Sequence, residues 1–122
     1  MIRVFTSKSQ KSGEIGEKIA VKFLVKHGFE IVEQNHSHKL GEIDIVAQKQ
    51  NVLYLVEVKT QKWDAYIRHT ENITSKKLAS LKVMAQIYVS QKKWKGDYRL
   101  VGCFVSIENA LNQAHVQMID LI

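Results

Sequence analysis

Apolar side chains recur at spacings of three and four residues in two segments of the chain, which is the period of an α-helix with one buried face. The spacing predicts helices over residues 13–27 and 75–92. Gly28 follows the first segment in the position of a C-terminal cap, and Ser75 begins the second as an N-terminal cap. The apolar positions of the two stripes are Ile15, Ile19, Phe23 and Leu24, and then Leu78, Leu81, Ala85, Tyr88 and Val89.

Short segments rich in Ile and Val predict strands between and after these helices. The predicted strands are residues 29–34, 42–49, 52–60, 98–107 and 115–122. Gln50 and Asn51 alone separate the second strand from the third, which predicts a β-hairpin, and the polar residues 61–72 predict a long loop. The order αβββαββ predicts an α/β fold in which helices flank a small mixed β-sheet.

Length and composition favour one globular domain over residues 12–122, preceded by a flexible basic arm over residues 1–11. The chain has 122 residues, of which 45% are hydrophobic and 25% are charged, as in ordinary globular proteins. No apolar run is long enough for a membrane span or a signal peptide, so we expect a cytoplasmic protein without a membrane partner. The single cysteine, Cys103, excludes an intramolecular disulfide and a Cys/His zinc cluster.

The charge balance is strongly basic. Lys and Arg number 18 against 12 Asp and Glu, which gives a net charge of +6. An excess of this kind favours an acidic partner, above all nucleic acid, although some basic proteins bind none.

The predicted hairpin places acidic residues next to one another. A two-residue turn sets a register in which Asp44 lies opposite Glu57 and Glu42 lies opposite Lys59. Strand alternation then puts these four side chains on one face of the sheet. A three-residue turn would instead send Asp44 and Glu57 to opposite faces, and the cluster would not form.

Apolar residues continue both faces of this hairpin, so we expect the acids to be partly buried. Val46, Leu53 and Leu55 extend the face that carries the acids. The opposite face is predicted to carry Ile43, Ile45, Ala47, Tyr54, Val56 and Val58. Opposed carboxylates repel and need positive charge, of which Lys59 can supply a part and a Mg²⁺ or Mn²⁺ ion bound by oxygen ligands would supply the rest. A solvent-facing ion pair between Glu42 and Lys59 fits the pattern too, and the pattern alone leaves both interpretations open.

Each predicted helix adds one charged candidate. Glu17 shares a face of the first helix with the small residues Gly13 and Ala20, where it could reach the same cation or simply favour the positive end of the helix dipole. Lys77 borders the apolar stripe of the second helix, where it could turn inward or lay its stem along the edge of the core.

These residues together resemble the YraN-like family of bacterial proteins. The resemblance covers about Gly13 to Val89 and implies a restriction-endonuclease-like fold, whose layout is also similar to archaeal Holliday junction resolvases. The matching residues are Gly16-Glu17 with Ala20, Gly28, Asn35, Gly41-Glu42-Ile43-Asp44 and Val56-Glu57-Val58-Lys59. Gln61 stands where family members often carry arginine.

The resemblance implies a catalytic set made of Glu17, Asp44, Glu57 and Lys59. In that set Asp44 and Glu57 bind Mg²⁺ or Mn²⁺, and Lys59 orients the attacking water. Glu42 supports the site from its edge.

Three further residues are candidate contacts to nucleic acid. The resemblance implies that Lys77 contacts phosphate. Trp63 and Arg68 lie in the predicted loop just past the acids, where an aromatic and a basic side chain could meet bases and backbone. The same loop could instead be only a connection.

We therefore expect a metal-dependent endonuclease that hydrolyses phosphodiester bonds in DNA, including branched or junction DNA. The alternative is a nucleic-acid-binding module with the same fold that hydrolyses nothing and acts in a repair or uptake assembly. A homodimer is compatible with either, because cutting two strands needs two sites.

Overall fold

The structure, a computed structural model, describes residues 8–62 and 73–121. Within these ranges the helices are α1 (Lys8–Lys26) and α2 (Ser75–Gln91), and a 3₁₀ turn covers Asn109–Leu111. The strands are β1 (Glu30–His38), β2 (Gly41–Lys49), β3 (Val52–Lys62), β4 (Asp97–Glu108) and β5 (Gln113–Asp120). The predicted α/β class and the order αβββαββ are confirmed. Neither helix in the described ranges is long and apolar enough to cross a lipid bilayer.

The strands form one mixed sheet in the order β1-β2-β3-β4-β5. Strands β3 and β4 are parallel, as the intervening α2 allows, and the other neighbours are antiparallel. The pairing of Lys49 with Val52 and of Ile45 with Val56 confirms the register of the two-residue turn. Gln50 and Asn51 form that turn with φ angles of 52° and 65°, the positive values that a type I′ turn requires.

Helix α1 begins five residues earlier than the spacing predicts, whereas α2 begins at Ser75 as predicted. Helix α1 includes the last part of the predicted arm, since residues 8–12 contain no Gly or Pro that would break a helix. The predicted cap Ser75 is the first residue of α2, and the cap is Thr74 instead. The Thr74 side-chain oxygen accepts a hydrogen bond from the backbone N–H of Lys77 at 3.1 Å, which fixes the first turn of α2.

The core is split between the two faces of the sheet. The buried residues on the α1 side are Ala20, Leu24, Ile45, Ala47, Val56, Val101, Cys103 and Val105. The buried residues on the α2 side are Ile43, Val46, Leu53, Leu55, Leu81, Met84, Ala85, Tyr88 and Leu100. The prediction that Ile43 shares a face with Ile45 is therefore wrong. The alternation of β2 breaks between Ile43 and Ile45, opposite Asn35, whose φ of 54° is left-handed, whereas the ladder register shifts only between Ile31 and Glu33.

A polar contact ties α2 to the edge strand β1. The Tyr88 hydroxyl donates a hydrogen bond to Glu33 Oε1 at 2.9 Å, and His36 Nδ1 lies 2.7 Å from Glu33 Oε2. The contact with His36 lowers the pKa of Glu33, and burial raises the pKa of Tyr88 to about 12. The tie holds the C-terminal part of α2 against β1.

Candidate metal centre

Four acidic side chains from three elements lie at the end of the sheet where β2 begins. Glu17 comes from α1, Glu42 and Asp44 come from β2, and Glu57 comes from β3. One carboxylate oxygen from each of Glu17, Glu42 and Asp44 lies within 4.8 Å of the others, so these three could hold one metal ion. The sequence-based metal pair was Asp44 with Glu57, and this triad shares only Asp44 with it.

Asp44 is the residue that joins the triad to Glu57. Its Oδ2 atom accepts a hydrogen bond from the backbone N–H of Val58 at 2.8 Å, which directs the carboxyl toward β3. Burial raises the pKa of Asp44 to about 8, with further contributions from a hydrogen bond to the Glu57 carboxyl and from its charge. The Val58 N–H and Lys77 act in the opposite direction. Asp44 and Glu57 therefore share one small volume, as the hairpin register predicts.

The Glu57 side chain is buried, and one of its two carboxylate oxygens lacks a hydrogen bond from the described residues. The residue is only 5% exposed, and its Oε2 atom has no hydrogen-bond partner among the described residues. Lys77 Nζ lies 3.3 Å from the same oxygen, close enough for an ion pair but without the geometry of a hydrogen bond. A buried carboxylate oxygen in this condition is costly unless a cation completes its surroundings.

Asn35 organises the two acids on the other side of Asp44. With its amide oriented so that the NH₂ group faces the carboxylates, Asn35 donates hydrogen bonds to Glu17 Oε1 at 3.1 Å and to Glu42 Oε1 at 3.0 Å. The ladder pairs on either side of Asn35 in β1 place this residue opposite Asp44 in β2. Sequence reasoning gave Asn35 no role. An asparagine within a strand segment is a weak signal of a left-handed backbone position, and nothing in the spacing links it to α1.

A close approach of α1 to β3 brings Glu17 to the sheet. Gly16 is buried, and a Cβ atom at this position would overlap the Thr60 side chain. Only glycine lets the helix backbone come this near. The triad therefore depends on a residue that has no side chain and cannot bind anything itself.

The burial of Glu17 has an electrostatic consequence. Burial raises the pKa of Glu17, and the charges of Asp44, Glu42 and Glu14 raise it further. Mutual repulsion of this kind is what a shared cation relieves.

Lys77 turns inward to the acids, which is one of the two positions that its place on the helix left open. Lys59 is half-buried in β3 and pairs in the ladder with Phe104 of β4. Among the described residues, the lysine that acts on the Asp44 carboxyl and contacts Glu57 is Lys77. The distance along the chain explains why sequence reasoning favoured Lys59, since only the packing of α2 brings Lys77 to the hairpin. Trp63 and Arg68 lie outside the described residues.

The donor set fits a hard divalent cation. Carboxylate oxygens are the ligands that Mg²⁺ and Mn²⁺ prefer, and the cluster offers four carboxyl groups on rigid elements. The Oε2 atom of Glu57 forms an ion pair with Lys77 and receives no hydrogen bond from the described residues, which is a further sign that this position favours positive charge. A cation bound between the acids would offset their mutual repulsion.

Fold and site together define an α/β protein with an acidic cluster, a possible metal site, at one end of a mixed five-stranded sheet. The model of the family described as uncharacterised protein family UPF0102 matches residues 16–122, and the chain belongs to this family. The resemblance to YraN-like proteins noted in the sequence is thereby confirmed.

Relatives in other bacteria match over most of their length. A UPF0102 protein of Caldicellulosiruptor bescii is 34% identical over 108 residues, which cover 85% of this chain and 91% of the relative. A UPF0102 protein of Aliarcobacter butzleri is 40% identical over 93 residues, which cover 75% and 83%. One of Dictyoglomus thermophilum is 38% identical over 87 residues, which cover 71% and 74%.

Proposed function

We propose that this protein is an endonuclease that uses Mg²⁺ or Mn²⁺ to hydrolyse phosphodiester bonds in DNA, with branched DNA among its substrates. The observation that carries the proposal is the meeting of Asp44 with three further acids, one of which, Glu57, is buried with a carboxylate oxygen that receives no hydrogen bond from the described residues. The protein is basic overall, yet negative charge is concentrated at one end of its sheet. Binding of the cation that phosphodiester cleavage requires would explain this concentration.

The side chains have separate tasks in this proposal. Glu17, Glu42, Asp44 and Glu57 are the candidate ligands, and Asp44 is common to both possible groupings. A bound divalent cation would stabilise negative charge on a phosphate and make a water molecule more acidic. Asp44 and Glu57 lie directly beyond Ile45 and Val56, the last ladder pair of the hairpin, which preorganises them better than a loop could.

Two lysines supply the remaining positive charge. Lys59 lies two residues beyond Glu57 and therefore on the same face of β3, where it can orient a water molecule or offset charge that develops on phosphate. Lys77 contacts Glu57 directly and is partly open to solvent. The net charge of +6 supports the same partner, since it favours a polyanion.

Cleavage of linear and branched DNA in the presence of Mg²⁺ or Mn²⁺ tests the proposal. The wild-type protein should cut, and Asp44→Asn should reduce the rate by at least about 100-fold, because it removes the charge of the ligand shared by both groupings. Asp97→Asn is the matched control, since Asp97 is exposed at the opposite end of the sheet. Equal rates for Asp44→Asn and wild type would refute the assignment.

A nucleic-acid-binding module without catalysis is the second candidate. The ion pair between Lys77 and Glu57 favours it, because an internal ammonium can partly neutralise the acids without a metal. The two candidates differ in divalent-ion affinity. Calorimetry that detects no binding of Mn²⁺, with or without DNA, would select the non-catalytic module.

A further inference from the structure

We propose that Lys77 is an exchangeable counter-ion, which pairs with Glu57 until a divalent cation binds the acids and then turns outward to a phosphate of the nucleic acid. This inference rests on the proposed function, because the same acids hold the cation. It goes further by giving one lysine two alternative partners and by coupling metal binding to substrate binding.

The present contact of Lys77 is close but incomplete. Its Nζ atom lies 3.3 Å from Glu57 Oε2, yet that oxygen has no hydrogen-bond partner among the described residues. Glu57 is 5% exposed, whereas the Lys77 side chain is 38% exposed. The acid is therefore fixed in the interior, and the lysine approaches it from the solvent side.

The backbone of Lys77 is anchored while its side chain is not. Its N–H donates to Thr74 Oγ1 at 3.1 Å, so the first turn of α2 stays in place when the ammonium moves. A lysine stem has four flexible carbons and carries its charge to whichever partner is nearest. The exchange thus needs rotation of one side chain and no movement of the helix.

Electrostatics gives the direction of the exchange. A divalent cation that contacts Asp44 or Glu57 would lie close to the Lys77 ammonium, because Lys77 acts on both carboxyl groups. Like charges in a partly buried site repel more strongly than in bulk water. The exposed side of Lys77 offers an exit, and a phosphate beside the acids would then accept its charge.

Calorimetric titration with Ca²⁺ at pH 9, above the pKa of about 8 that burial gives Asp44, tests the competition without any catalytic readout. The full chain is used, without DNA, as wild type, Lys77→Met, Lys77→Arg and the control Lys76→Met. Lys76 precedes Lys77 in the same turn of α2 and is exposed, whereas Lys77 contacts Glu57. Lys77→Met should bind Ca²⁺ at least about five-fold more tightly than wild type, as expected for a coupling between two sites. Lys77→Arg and Lys76→Met should stay within about two-fold of wild type, because one keeps the competing charge and the other removes a charge that does not compete.

The outcomes separate the inference from the function on which it rests. Equal or weaker Ca²⁺ binding by Lys77→Met, with normal binding by wild type, overturns the exchange and leaves the metal site intact. Absence of binding by every protein in the series overturns the metal site and the exchange together.

A measurement on the wild-type sequence covers the case in which Lys77→Met does not fold. Lysine side chains labelled by ¹³C reductive methylation are followed by NMR, with Lys76→Arg and Lys77→Arg used to assign the signals. The Lys77 signal should shift when Ca²⁺ is added and shift again when a short DNA duplex follows. A Lys77 signal that ignores Ca²⁺ while other signals report its binding would overturn the inference.

Discussion

Among the acids of this site, Asp44 is the residue whose pKa is most affected by burial and neighbouring charge. Its ordinary pKa is 3.8, and burial together with the neighbouring Glu57 raises it to about 8. The folded protein therefore holds a proton at Asp44 under conditions in which the unfolded chain has released it. A cation that replaces this proton would offset the repulsion between the buried carboxylates at neutral and basic pH.

Stability should consequently fall as the pH rises. The raised pKa of Asp44 contributes stability that is fully present below pH 3.8 and is lost progressively as the pH rises through about 8. In chelator-treated buffer the free energy of unfolding, measured with urea, should decline over this window. Asp44→Asn carries no titrating group at this position and should show a shallower decline.

Added Mn²⁺ provides the control for this prediction. At pH 8 it should restore stability to the wild-type protein and should do little for Asp44→Asn, because binding to the folded state stabilises only a chain that has the site. Parallel pH profiles for the two proteins would contradict the raised pKa of Asp44.

The residues of the site differ in how far the sequence could predict their positions. The meeting of Asp44 with Glu57 follows from the length of one turn, because a two-residue turn fixes the register of its hairpin. Asn35 and Lys77 could not be placed in this way. Asn35 depends on a left-handed backbone position within a strand, and Lys77 depends on how α2 packs across the sheet.

At the scale of elements, the approach of α1 to β3 decides whether Glu17 takes part. The contact between Gly16 and Thr60 is where a glycine is required for space rather than for backbone conformation. Helical periodicity predicted α1 and the burial of Leu24, but it also placed Ile15 in the apolar stripe, and Ile15 is exposed. It could not predict how near the helix comes, because that distance depends on Thr60, a residue of another element.

Two glycines of α1 provide a matched test of this approach. Gly16→Ala should destabilise the fold by about 1–3 kcal/mol, the range for overpacking, and should weaken Mn²⁺ binding by moving Glu17 away. Gly13→Ala meets no atom within 4 Å and should be neutral or stabilising by up to about 1 kcal/mol, since alanine favours helices. Thermal unfolding and Mn²⁺ calorimetry measure both effects. Equal behaviour of the two variants would show that close packing at Gly16 does not position Glu17.

The alternation of apolar residues along the hairpin strands predicted their two faces correctly except next to the site. Alternation correctly assigned Val46, Leu53 and Leu55 to one face of the hairpin. It failed at Ile43, next to Asp44, where the left-handed Asn35 interrupts the regular pleat. Sequence rules of this kind commonly fail at a functional site, because local geometry there serves the site rather than the strand.

At the scale of the whole molecule, lysines lie at both ends of the sheet, and only one end carries the acidic cluster. Lys39 and Lys62 are exposed where β1 and β3 end, beside the acids. Lys93 and Lys95 are exposed between α2 and β4, at the opposite end. A nucleic acid bound over the acids would meet the first pair and not the second.

Charge-matched variants distinguish these two ends. Replacing Lys39 and Lys62 by Gln should lower the steepness of the salt dependence of DNA binding by about 1.8, because each phosphate contact contributes about 0.9. Replacing Lys93 and Lys95 by Gln removes the same charge and should change the steepness little. Fluorescence anisotropy over a range of salt concentrations measures both. A larger effect from the second pair would place the DNA at the wrong end of the protein for the proposed site.

The central claim is that the acids from α1, β2 and β3 surround a shared cation. Anomalous X-ray diffraction from crystals soaked in Mn²⁺ tests it most directly, because the signal locates the ion independently of the protein model. We expect an anomalous peak within coordination distance of an Asp44 carboxylate oxygen, with Glu57 or Glu17 as a second ligand. Bound Mn²⁺ elsewhere on the protein, with no peak at Asp44, would contradict it.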